Sequence, residues 1–224
     1  MRQGPILIFT AVDMEARAIV RALGLRRGEG GGWRSEETGG VELHVIGIRS
    51  VHVPMPLPAA RAVILAGLAG ALEPSLRVGD VIVDSASSPL PGADVLPNAR
   101  VGPIHTAAKM ISTPEEKAEL FAATGALGVE MENAILRGQI AGSVEHRQLP
   151  FLHVRAVSDS ASEALDPRLM TMIDSRGRPK ALAVAGVLLR HPAMIPHLRR
   201  VGASSARACE ALAAAVQTLL RCWP

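Results

Sequence analysis

Apolar residues fall in short continuous runs, separated by stretches with helical spacing. Residues 6–10 are Ile-Leu-Ile-Phe-Thr, a run that predicts a strand buried on both faces. Behind it Val12, Ala16, Ile19 and Leu23 keep one apolar helical stripe, and Thr10 with Asp13 has capping-box spacing. A glycine-rich turn at 28–32 precedes strands at 41–48, 62–66 and 80–84, the one at 62–66 ending in a turn at Gly67-Leu68-Ala69-Gly70. Residues 85–106 carry Pro89, Pro91, Pro97 and Pro103 and read as an irregular loop. Thr113-Pro114-Glu115-Glu116 opens a helix with a cap, a proline in the first position and acids in the first turn. A strand at 126–129 enters a helix through Glu130-Met131-Glu132, and residues 150–157 form the last strand. After Asp166 the chain reads as helical to its end, broken at Pro179, Pro192, Pro196 and Gly202. Strands alternating with helices predict an α/β fold with a mainly parallel core sheet.

Composition narrows the function classes. The 224 residues are 48% hydrophobic and 20% charged, which excludes disorder as the main state. With three Phe, two Trp and no Tyr, the chain lacks the stacking platforms of a single-strand nucleic-acid binder. A formal net charge of +3 is too small to indicate nucleic acid. Cys209 and Cys222 form neither a disulfide framework nor a metal-ligand pair, so a reduced, cytoplasmic setting is expected, with no metal and no cofactor. The apolar residues 5–12 are followed by Asp13 and Glu15, so they read as a strand rather than a leader. No window reaches the length of a spanning helix.

In open α/β sheets, ligands sit beyond the carboxyl ends of the strands. Glu15, Gly67 to Gly70, Glu130 with Glu132, and Ser158-Asp159 all fall there. Each has an ordinary reading as well: a helix-dipole partner, a tight turn, a solvated helix start, an N-cap. Collected in one pocket, the carboxylates would shift one another's proton affinities, which is how general acids arise. The glycine turn lacks dinucleotide-fingerprint spacing, and no Walker loop or HExxH is present.

Three of these segments carry a resemblance. Gly67-Leu68-Ala69-Gly70-Ala71-Leu72-Glu73-Pro74 with the strand after it, Val129-Glu130-Met131-Glu132, and Arg155-Ala156-Val157-Ser158-Asp159 resemble the purine nucleoside phosphorylase / methylthioadenosine nucleosidase superfamily. The segment 117–133 and the tail with Gly177-Arg178-Pro179 and Arg190-His191-Pro192 resemble its hopanoid-associated members, which are implicated in removing adenine from adenosylhopane. The resemblance implies one domain over 1–224, a three-layer sandwich with a central mixed, mainly parallel sheet, and residues 166–224 as a helical extension. It implies Asp159 as the acid that protonates the purine at N7, and Ser158 as the residue that positions it. Glu15 would activate water, Glu132 would accept ribose hydroxyls, and Met131 would pack on the sugar. Glu130 would lie beside the substrate, and the backbone of Gly67, Ala69 and Gly70 would approach the sugar or the attacking group.

Two departures from the resemblance stand out. Residues 47–67 are short and carry Pro54, Pro56 and Pro58, which predicts a truncated helix. The base-stacking region, near Lys109-Met110-Ile111, has no aromatic, so Met110 and Ile111 would take that place, the alternative for Met110 being a gap-filler in the core. The expected reaction is hydrolysis of a purine nucleoside. The alternatives are phosphorolysis, with Arg49 and Arg17 near the glycine turn as candidate anion ligands, and a non-catalytic nucleoside-binding homologue. Further expectations are a homo-oligomer, as a dimer, and no nucleic-acid partner. Residues 181–200, apolar then basic, would either contact a membrane surface or cover the sheet or a subunit interface.

Overall fold

The computed structural model describes residues 4–28, 31–35, 40–84, 86, 95–96 and 98–223. The chain runs β1 (Ile6–Thr10), α1 (Asp13–Leu23), β2 (Arg26–Arg27), β3 (Trp33–Ser35), β4 (Val41–Val45) and β5 (Ala62–Ala71). It continues through β6 (Val81–Asp84), β7 (Arg100–Gly102), β8 (Ile104–Thr106), α2 (Pro114–Thr124), β9 (Gly128–Glu130) and α3 (Asn133–Ala141). Then come β10 (Phe151–Asp159), α4 (Ala181–Arg190) and α5 (Met194–Arg221). The sheet order is β2-β3-β4-β1-β5-β10-β6-β7, with β9 on β5 and β8 on β9. The central pairs β4–β1–β5–β10 are parallel, and β10–β6, β5–β9 and the β2–β3–β4 edge are antiparallel.

Alternation along β1 sorts its side chains between two cores. Ile6 and Ile8 join α1 (Ala16, Ile19) and α5 (Leu212, Val216) on one face of the sheet. Leu7 and Phe9 join α3 (Leu136, Ile140) and Phe151 on the other. The result is the mixed, mainly parallel three-layer α/β arrangement expected from the sequence.

Several local expectations need correction. Residues 67–70 are not a turn: β5 runs straight through them to Ala71. The expected loop at 85–106 holds β7 and β8, each three residues long, joined at Pro103 and paired with β6 and β9. Strands this short leave no periodicity to read; Pro89, Pro91 and Pro97 of that segment lie outside the described residues. The second strand stops at Val45, because Gly47 turns at φ 78° into the 3-10 turn Ile48–Ser50. That turn is the only helical element between β4 and β5. The glycine turn of 28–32 closes with Gly28 N–H donating to the Gly32 carbonyl, while residues 29–30 lie outside the described ones.

Helix α1 is capped at Val12 rather than Thr10, with Glu15 accepting the Val12 N–H. The 166–180 stretch is a 3-10 turn (Pro167–Thr171) followed by non-helical chain. Helix α5 continues unbroken through Pro196 and Gly202. Pro196 stands in the first turn, where its missing N–H has no intrahelical partner to lose. The expected helix at 113 is present, with Thr113 accepting the Glu116 N–H and Glu116 accepting those of Ser112 and Thr113.

Candidate active site

The register of two neighbouring parallel strands builds the site. Arg155 on β10 stands opposite Gly67 on β5, and Asp159 stands opposite Gly70. A Cβ on Gly67 would lie 2.2 Å from Arg155 Nη1 and 3.0 Å from Glu15 Oε1. Gly67 is therefore the gap through which a fully buried guanidinium crosses β5.

Glu15 is delivered by the first turn of α1. Its Oε2 accepts the N–H groups of Ala11 (2.9 Å) and Val12 (3.0 Å), and its Oε1 accepts that of Leu68 (2.8 Å). Burial pushes its carboxyl up to about 7, although the Arg155 charge and the N–H groups of Val12 and Leu68 oppose the shift. An ionisable group poised near neutrality is suited to general base work.

Arg155 organises the remaining charges. Its Nη2 donates to Glu130 Oε2 and lies 3.2 Å from Glu132 Oε2, and its Nη1 donates to the Leu68 carbonyl at 3.2 Å. Its Nε donates to His153 Nε2 at 2.8 Å. Guanidinium cannot accept, so the proton of a neutral His153 sits on Nδ1, which faces Asp84 Oδ2 at 3.2 Å. Burial lowers the imidazole's proton affinity and so favours that neutral form.

Glu130 and Glu132 divide two roles. Glu130 accepts from Thr106 Oγ1 (2.5 Å) and from the N–H groups of Glu132 and Asn133 at the start of α3. Burial would raise its pKa, but Arg155, His153 and the hydrogen bonds from Thr106 and the Glu132 N–H together outweigh it and hold the carboxyl below the usual range. Glu132 is pushed up by burial against the opposing pull of Arg155, with the Glu130 charge adding to the rise. Its Oε1 accepts the Arg49 N–H at 3.1 Å, and Ser50 Oγ donates to its carbonyl at 3.1 Å. Arg49 and Ser50 adopt φ of 61° and 54°, left-handed backbone that non-glycine residues rarely take. The strained turn aims a backbone donor at Glu132.

At the far end of β10, Asp159 Oδ2 accepts from Lys117 Nζ at 2.6 Å. Ser158 Oγ lies 2.7 Å from Asp159 Oδ1 and 3.2 Å from the Ala69 carbonyl, and can donate to either. Lys117 is wholly buried and spends its other two N–H bonds on the carbonyls of Ser160 and Glu163.

The four carboxylates, Glu15, Glu130, Glu132 and Asp159, line one cavity of about 680 Å³, with Arg155, His153 and Lys117 behind them. Of the residues singled out in the sequence, Glu15, Ala69, Gly70, Met110, Ile111, Glu130, Met131, Glu132, Ser158 and Asp159 line it. Gly67 and Arg49 are not among its walls: Gly67 makes room for Arg155, and Arg49 contributes its N–H to Glu132. Sequence reasoning missed Arg155, Lys117 and His153 as site residues. The signal for two of them was present, since His153 and Arg155 interrupt the apolar run of 151–157 at alternate positions. Most of the rest of the wall is apolar and much of it comes from the C-terminal region, including Leu165, Leu169, Met172, Val184, Leu198 and Val201, with Lys109, Glu163 and Ser205 as polar members. Among the described residues no group of His, Cys, Asp and Glu could hold a metal ion.

No protein-family model and no curated protein sequence matches the chain. Solved structures share its fold. S-adenosylhomocysteine nucleosidase from Streptococcus pyogenes, in complex with 5-methylthiotubericidin, superposes with TM-score 0.67 at 21% identity, covering 100% of this chain and 99% of that one. 5′-Methylthioadenosine/S-adenosylhomocysteine nucleosidase from Neisseria meningitidis, with methylthio-immucillin-A, gives 0.67 at 18% identity over 98% and 99%. Futalosine hydrolase of Helicobacter pylori gives 0.63 at 16% identity over 97% of each chain.

Proposed function

We propose that the protein hydrolyses the N-glycosidic bond of a purine nucleoside, with adenine as the leaving base. Cleavage builds positive charge on the ribose, and Glu15, Glu130 and Glu132 surround that end of the cavity with one balancing guanidinium. Glu15 takes a proton from water as it attacks C1′. Glu132 accepts ribose hydroxyls while Met131 packs on the sugar. Asp159 protonates the base at N7, because an unprotonated purine leaves poorly. Met110 and Ile111 supply an apolar, non-aromatic surface for the base.

The observation that carries hydrolysis over phosphorolysis is the coordination of Glu15. Its carboxylate already occupies the N–H groups of Ala11, Val12 and Leu68, the backbone donors that a phosphate would need. An adenine-release assay with and without phosphate tests this. Release should proceed unchanged without phosphate; a strict phosphate requirement with ribose 1-phosphate as product would make the protein a phosphorylase.

The apolar wall supports an apolar 5′ substituent, and adenosylhopane is the specific candidate that the sequence resemblance supplies. A large lipid substrate would enter from a membrane surface. Leu182 and Leu189 on α4 are 91% and 85% exposed, with Arg190 beside them and Val184 of the same helix lining the cavity. No helix among the described residues is long and apolar enough to cross a membrane, so such contact would be peripheral. Flotation with anionic liposomes at low salt tests it: a protein that stays out of the lipid fraction removes the case for a membrane-held substrate.

A further inference from the structure

We propose that Lys117 is the positioning residue for Asp159 and holds the proton that Asp159 passes to the leaving base. This inference rests on the nucleosidase reading above. Lys117 is 0% exposed, and Asp159 stands between it and the cavity. A lysine is rarely buried so completely unless it is paired. Here its three N–H bonds are all spent, on Asp159 Oδ2 at 2.6 Å and on the carbonyls of Ser160 and Glu163 at 2.7 and 2.9 Å.

Both carbonyls belong to the segment that follows β10. The ammonium therefore ties the carboxylate and the chain after it to α2, and its side-chain link to the site runs through Asp159. Such anchoring limits Asp159 to one orientation, with Oδ2 on the lysine and Oδ1 beside Ser158.

Lys117 also answers a chemical difficulty. A carboxylate paired with an ammonium carries no proton of its own to give, yet the base needs one. Taken together, the pair holds a single transferable proton. As the C1′–N9 bond breaks, its electron pair moves into the purine and N7 becomes basic. N7 takes a proton from Asp159, and Lys117 Nζ passes one of its own to the carboxylate. Adenine leaves neutral. Hydroxide from the attacking water joins C1′, and Glu15 holds the other water proton. Glu15 then releases that proton to solvent, and the Lys117 amine regains one from solvent.

The test is the kinetics of Lys117→Met and Lys117→Arg on two substrates. One is an adenine nucleoside, whose base must be protonated. The other is 4-nitrophenyl riboside, whose phenolate leaves without a proton. Lys117→Met should lower kcat on the adenine nucleoside by about 10²-fold or more, in the range of a lost proton donor, with KM changed only a few-fold. It should leave the nitrophenyl riboside near the wild-type rate, and Lys117→Arg should restore part of the loss in anchoring. Equal slowing of both substrates would mean that Lys117 only supports the fold, and no slowing of either would mean it has no role; each overturns the inference.

Lys117→Met leaves a buried carboxylate without its partner and can fail to fold, and the wild type can reject the phenyl riboside. In either case, comparing Asp159→Asn with Asp159→Asn/Lys117→Met decides. The double variant should be no slower than the single one, because Lys117 acts through Asp159. A further fall overturns the inference. If the wild type releases adenine while these tests fail, only the lysine assignment is lost. If the wild type cleaves no adenine nucleoside, the nucleosidase reading falls and this inference with it.

Discussion

At the end of the cavity near Glu15 one guanidinium serves three carboxylates, whereas at the end near Asp159 one ammonium serves one. Burial raises the proton affinity of Glu15 and Glu132, and the excess negative charge of the first arrangement adds to the rise. The second is balanced and closed. Under the proposed reaction the contrast corresponds to the two demands of glycosidic cleavage, a developing cation at the sugar and a proton delivered to the base. Both ends hang from β10, four residues apart, so one strand sets their separation.

The most damaging change should be at the crowded end. Arg155→Leu removes the cation that pairs with Glu130 and Glu132 and whose charge acts on Glu15, and takes away the N–H that His153 Nε2 accepts. Breaking a buried pair in this way costs about 3–5 kcal/mol. Activity should be lost, and a urea titration should show the destabilisation. A variant within about 1 kcal/mol of the wild type would mean that the carboxylates are neutral in the folded protein.

Asp159→Asn should cost less in stability and separate the two ends by chemistry. The amide keeps an acceptor for Lys117 but gives no proton, so adenine release should fall by roughly 10²- to 10⁴-fold with the fold retained. Near-wild-type turnover of an adenine nucleoside would remove Asp159 from the acid role.

The raised carboxyl of Glu15 gives the crowded end a pH signature. The base form is needed, so kcat/KM should rise through pH about 7 and fall about tenfold per unit below it. Stability moves the other way. A carboxyl raised from 4.5 to about 7 contributes stability that is fully present below 4.5 and lost as pH rises to 7, on the order of 3 kcal/mol. Glu15→Gln should abolish hydrolysis and flatten that part of the stability profile, measured by urea unfolding at pH 5 and pH 8. An unchanged profile would mean that Glu15 titrates in its ordinary range.

The two ends were unequally legible in the sequence. The carboxylates could be found because strand ends followed by acids are a local pattern. The cations could not be placed from that pattern. Arg155 is paired only because β10 lies in register on β5 with a glycine opposite, and Lys117 meets Asp159 across 42 positions of chain. Such pairings depend on strand register and helix packing, which one segment does not reveal. The fold class was readable for the same local reason: buried parallel strands are continuous apolar runs. Errors gathered where a local rule was outweighed by context. The glycines of 67–70 stay in a strand because Arg155 and Asp159 need the space. The short strands β7 and β8 are held by their neighbours rather than by their own composition.

The apolar wall of the cavity is neither crowded nor paired, and it offers the smallest predicted effect. Gly202 was expected to break the C-terminal helix but lies inside α5 and on the cavity wall. A Cβ built there meets nothing within 4 Å, and its backbone φ is not in the left-handed region. Gly202→Ala should therefore stabilise the protein by about 0.5–1 kcal/mol, the usual difference between glycine and alanine inside a helix. For a chain of this size that raises Tm by about 2–4 °C per kcal/mol. The added methyl narrows the wall slightly, so KM for a nucleoside with a long apolar 5′ substituent should change more than KM for adenosine. A lower Tm would show that residue 202 needs glycine's freedom and that α5 bends there. A higher Tm with equal changes in both KM values would place the 5′ substituent away from α5.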